Sequence, residues 1–374
     1  MPRLSRSLDA VTDINPSPRN ARSSEASFVT LASGRILMGY SCFARGGHDH
    51  DKAVIAACFS DDDGRTWSAR ARILVRDEGK ANDMSVSFLR LQDGRIALFN
   101  GRKNSWLDCR PVVRFSSDEC KTFSRPHLLT PVPSYYNMNN DRAIQLKSGR
   151  IIVPLSMHHP RTNVKELNGK RRSVVSFCSQ GLILYLCSDD GGQSWFEAKN
   201  RLYDNNEEGF GLQEPGVVEL SDNRVWSFCR NGMFATYDPR NRQWQTFSQD
   251  SGLTWSNIKP SRFHSPCSPM SVKRINATGD LLAVWNDHSP EHYVKAHRLS
   301  AQRTPLACAI SSNDGKTWKR HQLLETSRRH GFCYVAIHSL EDAVLLAYSA
   351  GGADTENCLS RLRIRRMTID RLCG

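Results

Sequence analysis

Short turns alternate with apolar segments along the whole chain. Six times, a turn built from residues such as Gly, Asp, Asn and Ser leads directly into a run of aliphatic residues, as expected for a β-strand. The six turns begin at Ser33, Asp93, Ser148, Asp222, Gly279 and Glu341. Successive turns lie about 55 to 75 residues apart, which is enough for four strands and their loops. No long amphipathic helical pattern interrupts them, so the chain is expected to be all-β.

A second repeat has eight residues and follows each of the first five turns; it is called the octet below. The pattern Ser-x-Asp-x-Gly-x-Thr-Trp occurs intact at Ser60–Trp67 and at Ser248–Trp255. Three variants of the pattern occur elsewhere, at Ser116–Phe123, Ser188–Trp195 and Ser311–Trp318. A short Asp or Asn side chain accepts backbone N–H bonds inside a tight turn, and Gly tolerates positive φ there. These aspartates are therefore expected to hold hairpin turns and not to catalyse a reaction.

The two interleaved repeats predict one fold. Six four-stranded antiparallel sheets in sequence favour a six-bladed β-propeller, which closes on itself and so protects its sheet edges. Propellers run long as single units, and the chain is interpreted as one domain over residues 1–374.

Charge and composition narrow the classes of partner. Lys and Arg outnumber Asp and Glu by 51 to 38, and this balance favours an acidic partner such as an acidic sugar. The basic residues are dispersed, and no nucleic-acid-binding motif is present, so nucleic acid is not an expected partner. No apolar run reaches the roughly 20 residues that span a bilayer, so no membrane partner is expected either.

The spacing of the cysteines indicates the redox environment of the protein. All 12 occur singly, many of them inside apolar strands, and no Cys-x-x-Cys pair exists. This pattern is typical of buried free thiols and favours a reducing environment. The first residues, Met1–Arg6, lack the apolar core of a signal peptide, so a cytoplasmic location is expected.

The eight-residue repeats resemble the Asp boxes (BNR repeats) of the sialidase, or neuraminidase, superfamily, and the resemblance extends over roughly residues 20 to 350. It implies an enzyme similar to bacterial exo-α-sialidases. Enzymes of that superfamily hold the substrate carboxylate with three arginines and use a tyrosine nucleophile, a glutamate that takes its proton and an aspartate acid/base. A neutral phenol suits this role, because the substrate's own carboxylate would repel an anionic nucleophile.

Four residues match this pattern in order. Glu214 lies in Leu212–Gly216. Arg230 comes 16 residues after Glu214, at the end of the next apolar strand. Arg303 precedes the strand that leads into the fifth octet, and Tyr334 precedes the sixth turn. The resemblance implies that Tyr334 is the nucleophile, that Glu214 is its base, and that Arg230 and Arg303 bind the carboxylate. A surface ion pair and a buried core tyrosine are the structural alternatives.

The first arginine and the acid/base are less closely matched. Arg22 is the preferred first arginine and Arg19 the alternative, and Glu25 either orients the arginine or merely pairs with it. Asp49 best resembles the acid/base, with Asp51 close behind, in a loop whose glycines favour mobility. This His/Asp-rich loop lacks further ligands at metal-binding spacing, so no metal and no other cofactor is expected.

Other polar segments are candidates for lining the pocket. Asn140, Asp141 and Arg142 precede the third unit and are expected to contact substrate, with a satisfied role in a loop as the alternative. Each of the remaining candidates either contacts sugar hydroxyls or is a satisfied loop residue: Asn82, Asp83, Met84, Asn139, His158 and His159.

The expected function is that of a retaining exo-glycosidase that removes a terminal sialic acid or a related 2-keto sugar acid from glycoconjugates, with a sialylated or other acidic-sugar glycan as partner. Two alternatives stay open. One is a glycosidase or lyase that acts on another acidic sugar, and the other is a non-catalytic propeller that binds glycan or protein. The sequence does not indicate the oligomeric state.

Overall fold

The computed structural model describes residues 10–167, 170–176, 178–204, 211–231 and 241–373. Strands dominate these residues, and the helical segments are a 3-10 turn at Arg298–Ser300 and the short helix α1 at Ile369–Cys373. None of the helices in the described part of the chain has the length and apolar character needed to cross a bilayer.

The first strand, β1 (Ala10–Ile14), joins the last sheet of the chain and is followed by a four-stranded antiparallel sheet with the order β2-β3-β4-β5. Its strands are β2 (Arg22–Thr30), β3 (Ile36–Phe43), β4 (Ala53–Ser60) and β5 (Arg72–Val75).

A nine-stranded sheet comes next, with a separate two-stranded hairpin inserted in its sequence. The nine strands are β6 (Asn82–Arg90), β7 (Ile96–Ser105), β8 (Asp108–Ser116), β9 (His127–Leu128), β10 (Tyr135–Asn137), β11 (Ile144–Gln145), β12 (Ile151–His158), β15 (Gly181–Ser188) and β16 (Phe196–Glu197). The hairpin consists of β13 (Arg161–Leu167) and β14 (Lys170–Ser176).

Three further four-stranded sheets complete the fold. The first consists of β17 (Leu212–Glu219), β18 (Val225–Asn231), β19 (Arg242–Ser248) and β20 (Lys259–His264). The second consists of β21 (Ser271–Arg274), β22 (Leu281–Asn286), β23 (Leu306–Ser311) and β24 (Lys319–Glu325). The third has the order β1-β27-β26-β25 and contains β25 (Cys333–Ser339), β26 (Ala343–Ser349) and β27 (Leu362–Thr368).

The all-β propeller is confirmed, but the expected number of six blades is wrong: the described residues form a four-blade arrangement of separate four-stranded sheets, and nine further strands share one larger sheet. The second and third sequence units do not make separate four-stranded sheets, because β10 lies between them. Tyr135 of β10 pairs with Cys109 of β8 in parallel and with His158 of β12 in antiparallel orientation. This short strand joins both units into the nine-stranded sheet.

Chain closure and the core follow from the propeller arrangement. Strand β1 pairs with β27 from Ala10↔Arg366 to Ile14↔Leu362, so the start and the end of the described chain share one sheet. Apolar clusters lie between neighbouring sheets. One of them joins Phe28 and Met38 of the first sheet to Leu345 and Ile364 of the last.

The octets form the hairpins between the last two strands of their units. In the first octet, Asp62 accepts hydrogen bonds from the Thr66 backbone N–H at 2.8 Å and from the Thr66 hydroxyl at 2.7 Å. The Ser60 hydroxyl donates to Asp62 and accepts from the Gly64 N–H. Gly64 has φ of 80° and lies against Leu345 of the neighbouring sheet. The first octet therefore stabilises its turn, as expected, and Gly64 also contacts the adjacent sheet.

Candidate functional site

Irregularities in the inner strands build the centre of the site. The ladders of β2, β6, β17 and β25 each shift register near the strand's start, which is the mark of a β-bulge. One residue in each bulge has positive φ: Glu25, Ser85, Glu214 and Tyr334. All four line a single cavity of about 40 Å³. A bulge re-aims a side chain, so the repeated irregularity explains why residues far apart in sequence meet here.

Tyr334 and Glu214 form the central pair of the cavity. The Tyr334 hydroxyl donates a hydrogen bond to Glu214 Oε1 at 3.1 Å. The two residues are 7% and 4% exposed. Burial, and then the charge of Glu214, raises the pKa of Tyr334 well above its usual value, so the phenol is protonated at neutral pH. A phenol bonded to a carboxylate at this distance can lose its proton to that carboxylate as the phenol oxygen attacks.

Arg230 contacts the same glutamate from another side. Its Nε lies 3.0 Å from Glu214 Oε2, and its Nη2 donates to Gln213 Oε1 at 2.8 Å. Among the described residues, the buried Nη1 of Arg230 has no hydrogen-bond partner. An anionic ligand would satisfy this donor, since a buried guanidinium N–H without a partner is costly.

Arg303 lies beside Tyr334. Its guanidinium is 5.2 Å from the centre of the Tyr334 ring, and its Nη1 donates to the Cys333 sulfur at 3.0 Å. Although burial opposes it, the pKa of Arg303 is raised by neighbouring thiols and by Tyr334, so the side chain stays charged.

Arg22, and not the exposed Arg19, is placed near the cavity. Arg22 is 1% exposed and donates to Glu25 Oε1 at 3.1 Å and to Asp49 Oδ1 at 2.6 Å. Glu25 in turn accepts from the Ser85 hydroxyl at 2.9 Å. Glu25 therefore both pairs with the arginine and orients it.

Asp49 lines the cavity. Partial loss of hydration of its carboxylate opposes ionisation, but the charges of Arg22 and Lys103 outweigh that effect and hold the pKa of Asp49 well below its usual range. The side chain is 58% exposed, so water also screens these charges. The close Arg22 contact nevertheless sets the direction, and Asp49 is ionised while that contact lasts.

Asp51 has a different place in the same loop. Its Oδ2 accepts from the His48 backbone N–H at 2.7 Å, and Asp51 does not line the cavity. The loop glycines Gly46 and Gly47 have φ of 76° and 80°, a conformation that favours glycine. Asp51 thus closes the turn that presents Asp49.

Three residues expected to contact substrate are bonded to the backbone of the inner strands. Asn140 donates to the backbone oxygens of Ala26 at 2.7 Å and Tyr334 at 3.2 Å. Asp141 accepts from the Ile337 N–H at 3.0 Å, and Arg142 donates to the Met270 oxygen at 2.9 Å. None of the three lines the cavity, and the same is true of Arg22, Arg230 and Arg303. Asn140, Asp141 and Arg142 therefore connect the inner strands, and Asn140 holds the backbone of Tyr334.

One of the other candidates lines the cavity, and the rest lie outside its lining. Met84 lines the cavity, whereas Asn82 donates to the backbone oxygens of Asp49 and Asp51 and so supports their loop. Asp83 accepts from the Glu78 N–H at 3.0 Å. His158 is buried and bonded to the Cys178 oxygen, and burial lowers its pKa to about 4. His159 is exposed, and Asn139 is buried.

Lys103 is the cavity residue that sequence reasoning missed. It is 2% exposed, donates to the Asp49 backbone oxygen at 2.7 Å and lies 5.3 Å from the centre of the Tyr135 ring. Lysine is almost never fully buried without a partner, but Lys103 stands in the polar second half of β7, Asn100–Ser105, where the sequence gives no signal of its burial. Tyr135 stacks on Trp106 at 5.6 Å between ring centres and adds an aromatic wall.

Residues 39–346 match the family of BNR repeat-like domains. Among curated protein sequences, none matches the chain significantly.

Solved structures resemble the chain over nearly its whole length at low sequence identity. A protein of unknown function from Dyadobacter fermentans is 15% identical, with a TM-score of 0.69 over 96% of this chain and 99% of the other. The intramolecular trans-sialidase of Ruminococcus gnavus is 15% identical, with a TM-score of 0.67 over 96% of each chain. The NanB sialidase of Streptococcus pneumoniae is 15% identical, with a TM-score of 0.67 over 96% of this chain and 70% of the other. These likenesses establish the shared fold.

Proposed function

Since the chain belongs to the family of BNR repeat-like domains, we propose that it is an exo-glycosidase of the sialidase type, which hydrolyses a terminal sialic acid or a related 2-keto sugar acid from a glycan. The observation that carries the proposal is the buried hydrogen bond of 3.1 Å from Tyr334 to Glu214, close to Arg230 and Arg303. Two of the solved structures with the same fold are named as a sialidase and an intramolecular trans-sialidase.

Substrate binding uses the arginines. The carboxylate of the sugar acid accepts hydrogen bonds from Arg22, Arg230 and Arg303, whose planar guanidiniums suit a carboxylate better than lysines do. The unpartnered Nη1 of Arg230 supports this role. Because Arg22 also holds Asp49 at 2.6 Å, an incoming carboxylate competes with Asp49 for Arg22.

That competition prepares the acid. When Arg22 turns to the substrate carboxylate, Asp49 loses the close positive charge that lowers its pKa, and a second negative charge approaches it. The pKa of Asp49 therefore rises on binding, and Asp49 can carry the proton that the leaving oxygen needs. The cavity volume of about 40 Å³ is too small for a sugar, so binding also requires the cavity to widen.

The reaction proceeds in two steps. The Tyr334 oxygen attacks the anomeric carbon, Glu214 takes the phenol proton, and Asp49 protonates the departing glycan oxygen as the glycosidic bond breaks. Water then attacks the same carbon and gives a proton to Asp49, while Tyr334 leaves and regains its proton from Glu214. Two displacements retain the configuration at the anomeric carbon.

Tyr334→Phe tests the proposal, with Tyr348→Phe as the matched control. Tyr348 is also buried and bonded to a glutamate, Glu325, at 2.7 Å, but it lies outside the cavity. With an aryl sialoside as substrate, we expect the parent protein and Tyr348→Phe to turn over at similar rates. We expect Tyr334→Phe to lose several orders of magnitude. A parent protein that cleaves no sialoside or other keto-sugar glycoside would refute the proposal.

We extend the proposal to the cytoplasm as the site of action. All 12 cysteines are free thiols, and this supports a reducing compartment.

A further inference from the structure

Three side chains with metal-binding atoms meet on the sheet of β21–β24, outside the cavity. Asp287 Oδ2 lies 3.0 Å from His292 Nδ1 and 2.8 Å from His321 Nε2. All three atoms lie within 4.8 Å of one another. Within the described part of the chain, no other group of three His, Cys, Asp or Glu side chains has this arrangement.

The backbone positions each of the three side chains. Asp287 directly follows β22, and its N–H donates to the Pro305 oxygen at 3.2 Å, which continues the pairing with β23. His292 lies five residues on in a turn, where its N–H donates to the Ser289 oxygen at 3.0 Å. His321 is part of the outer strand β24. The group therefore connects the segment after β22 to a different strand of the sheet.

Neighbouring groups hold two of the side chains in orientation. The second carboxylate oxygen of Asp287 accepts from the Ser289 N–H at 2.9 Å. The Trp285 ring lies edge-on to the His321 ring, with 5.6 Å between the ring centres. Such outer contacts fix a ligand's direction and are typical of metal sites.

The burial of the group suits a metal with water ligands. The Asp287 side chain is 7% exposed, whereas His292 and His321 are about one-third exposed. A buried carboxylate at the base and two imidazoles at the surface leave the remaining coordination positions facing solvent. In a tetrahedral zinc site with bonds of about 2.0–2.1 Å, ligand atoms lie about 3.3 Å apart, so small side-chain movements suffice.

We propose that Asp287, His292 and His321 bind a divalent transition-metal ion of the zinc class, with water completing the coordination. Two imidazoles and one carboxylate are ligands that zinc accepts, and they are softer than the all-oxygen sets that calcium or magnesium prefer. The ion connects the segment Asp287–Arg303 with strand β24, and this cross-link stabilises the sheet. None of the three ligands lines the cavity, so this site is independent of the proposed hydrolysis.

Zinc binding to the tag-free, chelator-treated protein tests the proposal. Isothermal titration with Zn²⁺ should show one equivalent bound, and the melting temperature should rise with Zn²⁺ concentration, because a ligand that binds only the folded state stabilises it. His321→Ala and His292→Ala should each weaken binding by more than about tenfold and abolish the rise in melting temperature. Circular dichroism of the metal-free variants checks that both fold.

His330→Ala provides the matched control. His330 Nε2 lies 2.9 Å from Asp354 Oδ1, so it forms a similar His–Asp pair that lacks a third ligand. This variant should bind Zn²⁺ like the parent protein. Either of two results would overturn the proposal: the parent protein binds no Zn²⁺ in excess metal, or His321→Ala and His292→Ala bind it as tightly as His330→Ala does.

Discussion

Glu214→Gln removes the proposed base while keeping the size and shape of the side chain. In the parent protein, Glu214 accepts the Tyr334 hydroxyl at 3.1 Å through Oε1 and contacts Arg230 Nε at 3.0 Å through Oε2. The glutamine keeps an oxygen for one of these contacts but takes up no proton at neutral pH. The three arginines are unchanged, so the site still binds a sugar carboxylate.

The expected loss in turnover follows from the role of the base. A well-placed general base contributes about 10²–10⁴-fold, which corresponds to roughly 2.7–5.5 kcal/mol of barrier. One effect acts in the opposite direction, because the charge of Glu214 helps to raise the pKa of Tyr334 and its removal makes the phenol more acidic. The phenol nevertheless remains neutral near pH 7 and has no base to take its proton, so we expect a net loss of turnover.

The assay measures kcat and KM on an aryl sialoside at 25 °C and corrects both for the folded fraction. The correction matters because Glu214→Gln also breaks a buried ion pair with Arg230, which is destabilising. Glu325→Gln is the matched control, since Glu325, like Glu214, contacts a tyrosine and arginine: Tyr348 lies at 2.7 Å, Arg363 at 2.9 Å and Arg365 at 2.8 Å. A Glu214→Gln protein that keeps a kcat within a few-fold of Glu325→Gln would refute the role of Glu214 as the base.

Three further outcomes are expected. Asp250→Ala removes hydrogen bonds to the Thr254 N–H at 2.8 Å, the Thr254 hydroxyl at 2.6 Å and the Ser248 hydroxyl at 2.8 Å. Each bond contributes roughly 0.5 kcal/mol or more to stability, so the melting temperature should fall while kcat per folded molecule stays the same. A loss of kcat at unchanged stability would contradict the structural role of the octets. Asp49→Asn should slow cleavage of a natural sialoside far more than that of an aryl sialoside, whose leaving group needs little protonation, and equal losses on both substrates would argue against Asp49 as the acid. Titration of the denatured, unreduced protein should count close to 12 thiols, whereas a count near zero would show disulfides.

Local patterns in the sequence were sufficient to predict much of the fold. The octets form hairpins because Asp, Gly and Thr at fixed spacing satisfy a turn with contacts inside eight residues, such as those between Asp62 and Thr66. The blade number was wrong because it depends on pairing between distant segments. Strand β10 has three residues and no strand pattern of its own, yet Tyr135 joins Cys109 to His158.

The candidate site was predicted in part. Glu214 and Tyr334 could be named through a family resemblance, but the bulges that turn them towards one another have no evident sequence signal. Lys103 was missed because it stands in the polar second half of its strand, where an exposed lysine is ordinary, and its partner is a backbone oxygen 54 residues earlier in the chain. The order of Asn140, Asp141 and Arg142 along the chain does not indicate that their side chains are bonded to backbone groups of distant strands.

Covalent labelling tests the central claim, that Tyr334 is the nucleophile, most directly. A 2,3-fluorinated sialic acid forms a glycosyl–enzyme intermediate that breaks down slowly, because fluorine next to the anomeric carbon disfavours the oxocarbenium-like transition state. After incubation and proteolysis, mass spectrometry should find the added sugar on the peptide that contains Tyr334. Tyr348→Phe should be labelled at the same position, and Tyr334→Phe should not be labelled. A label on another residue, or a labelled Tyr334→Phe protein, would contradict the account.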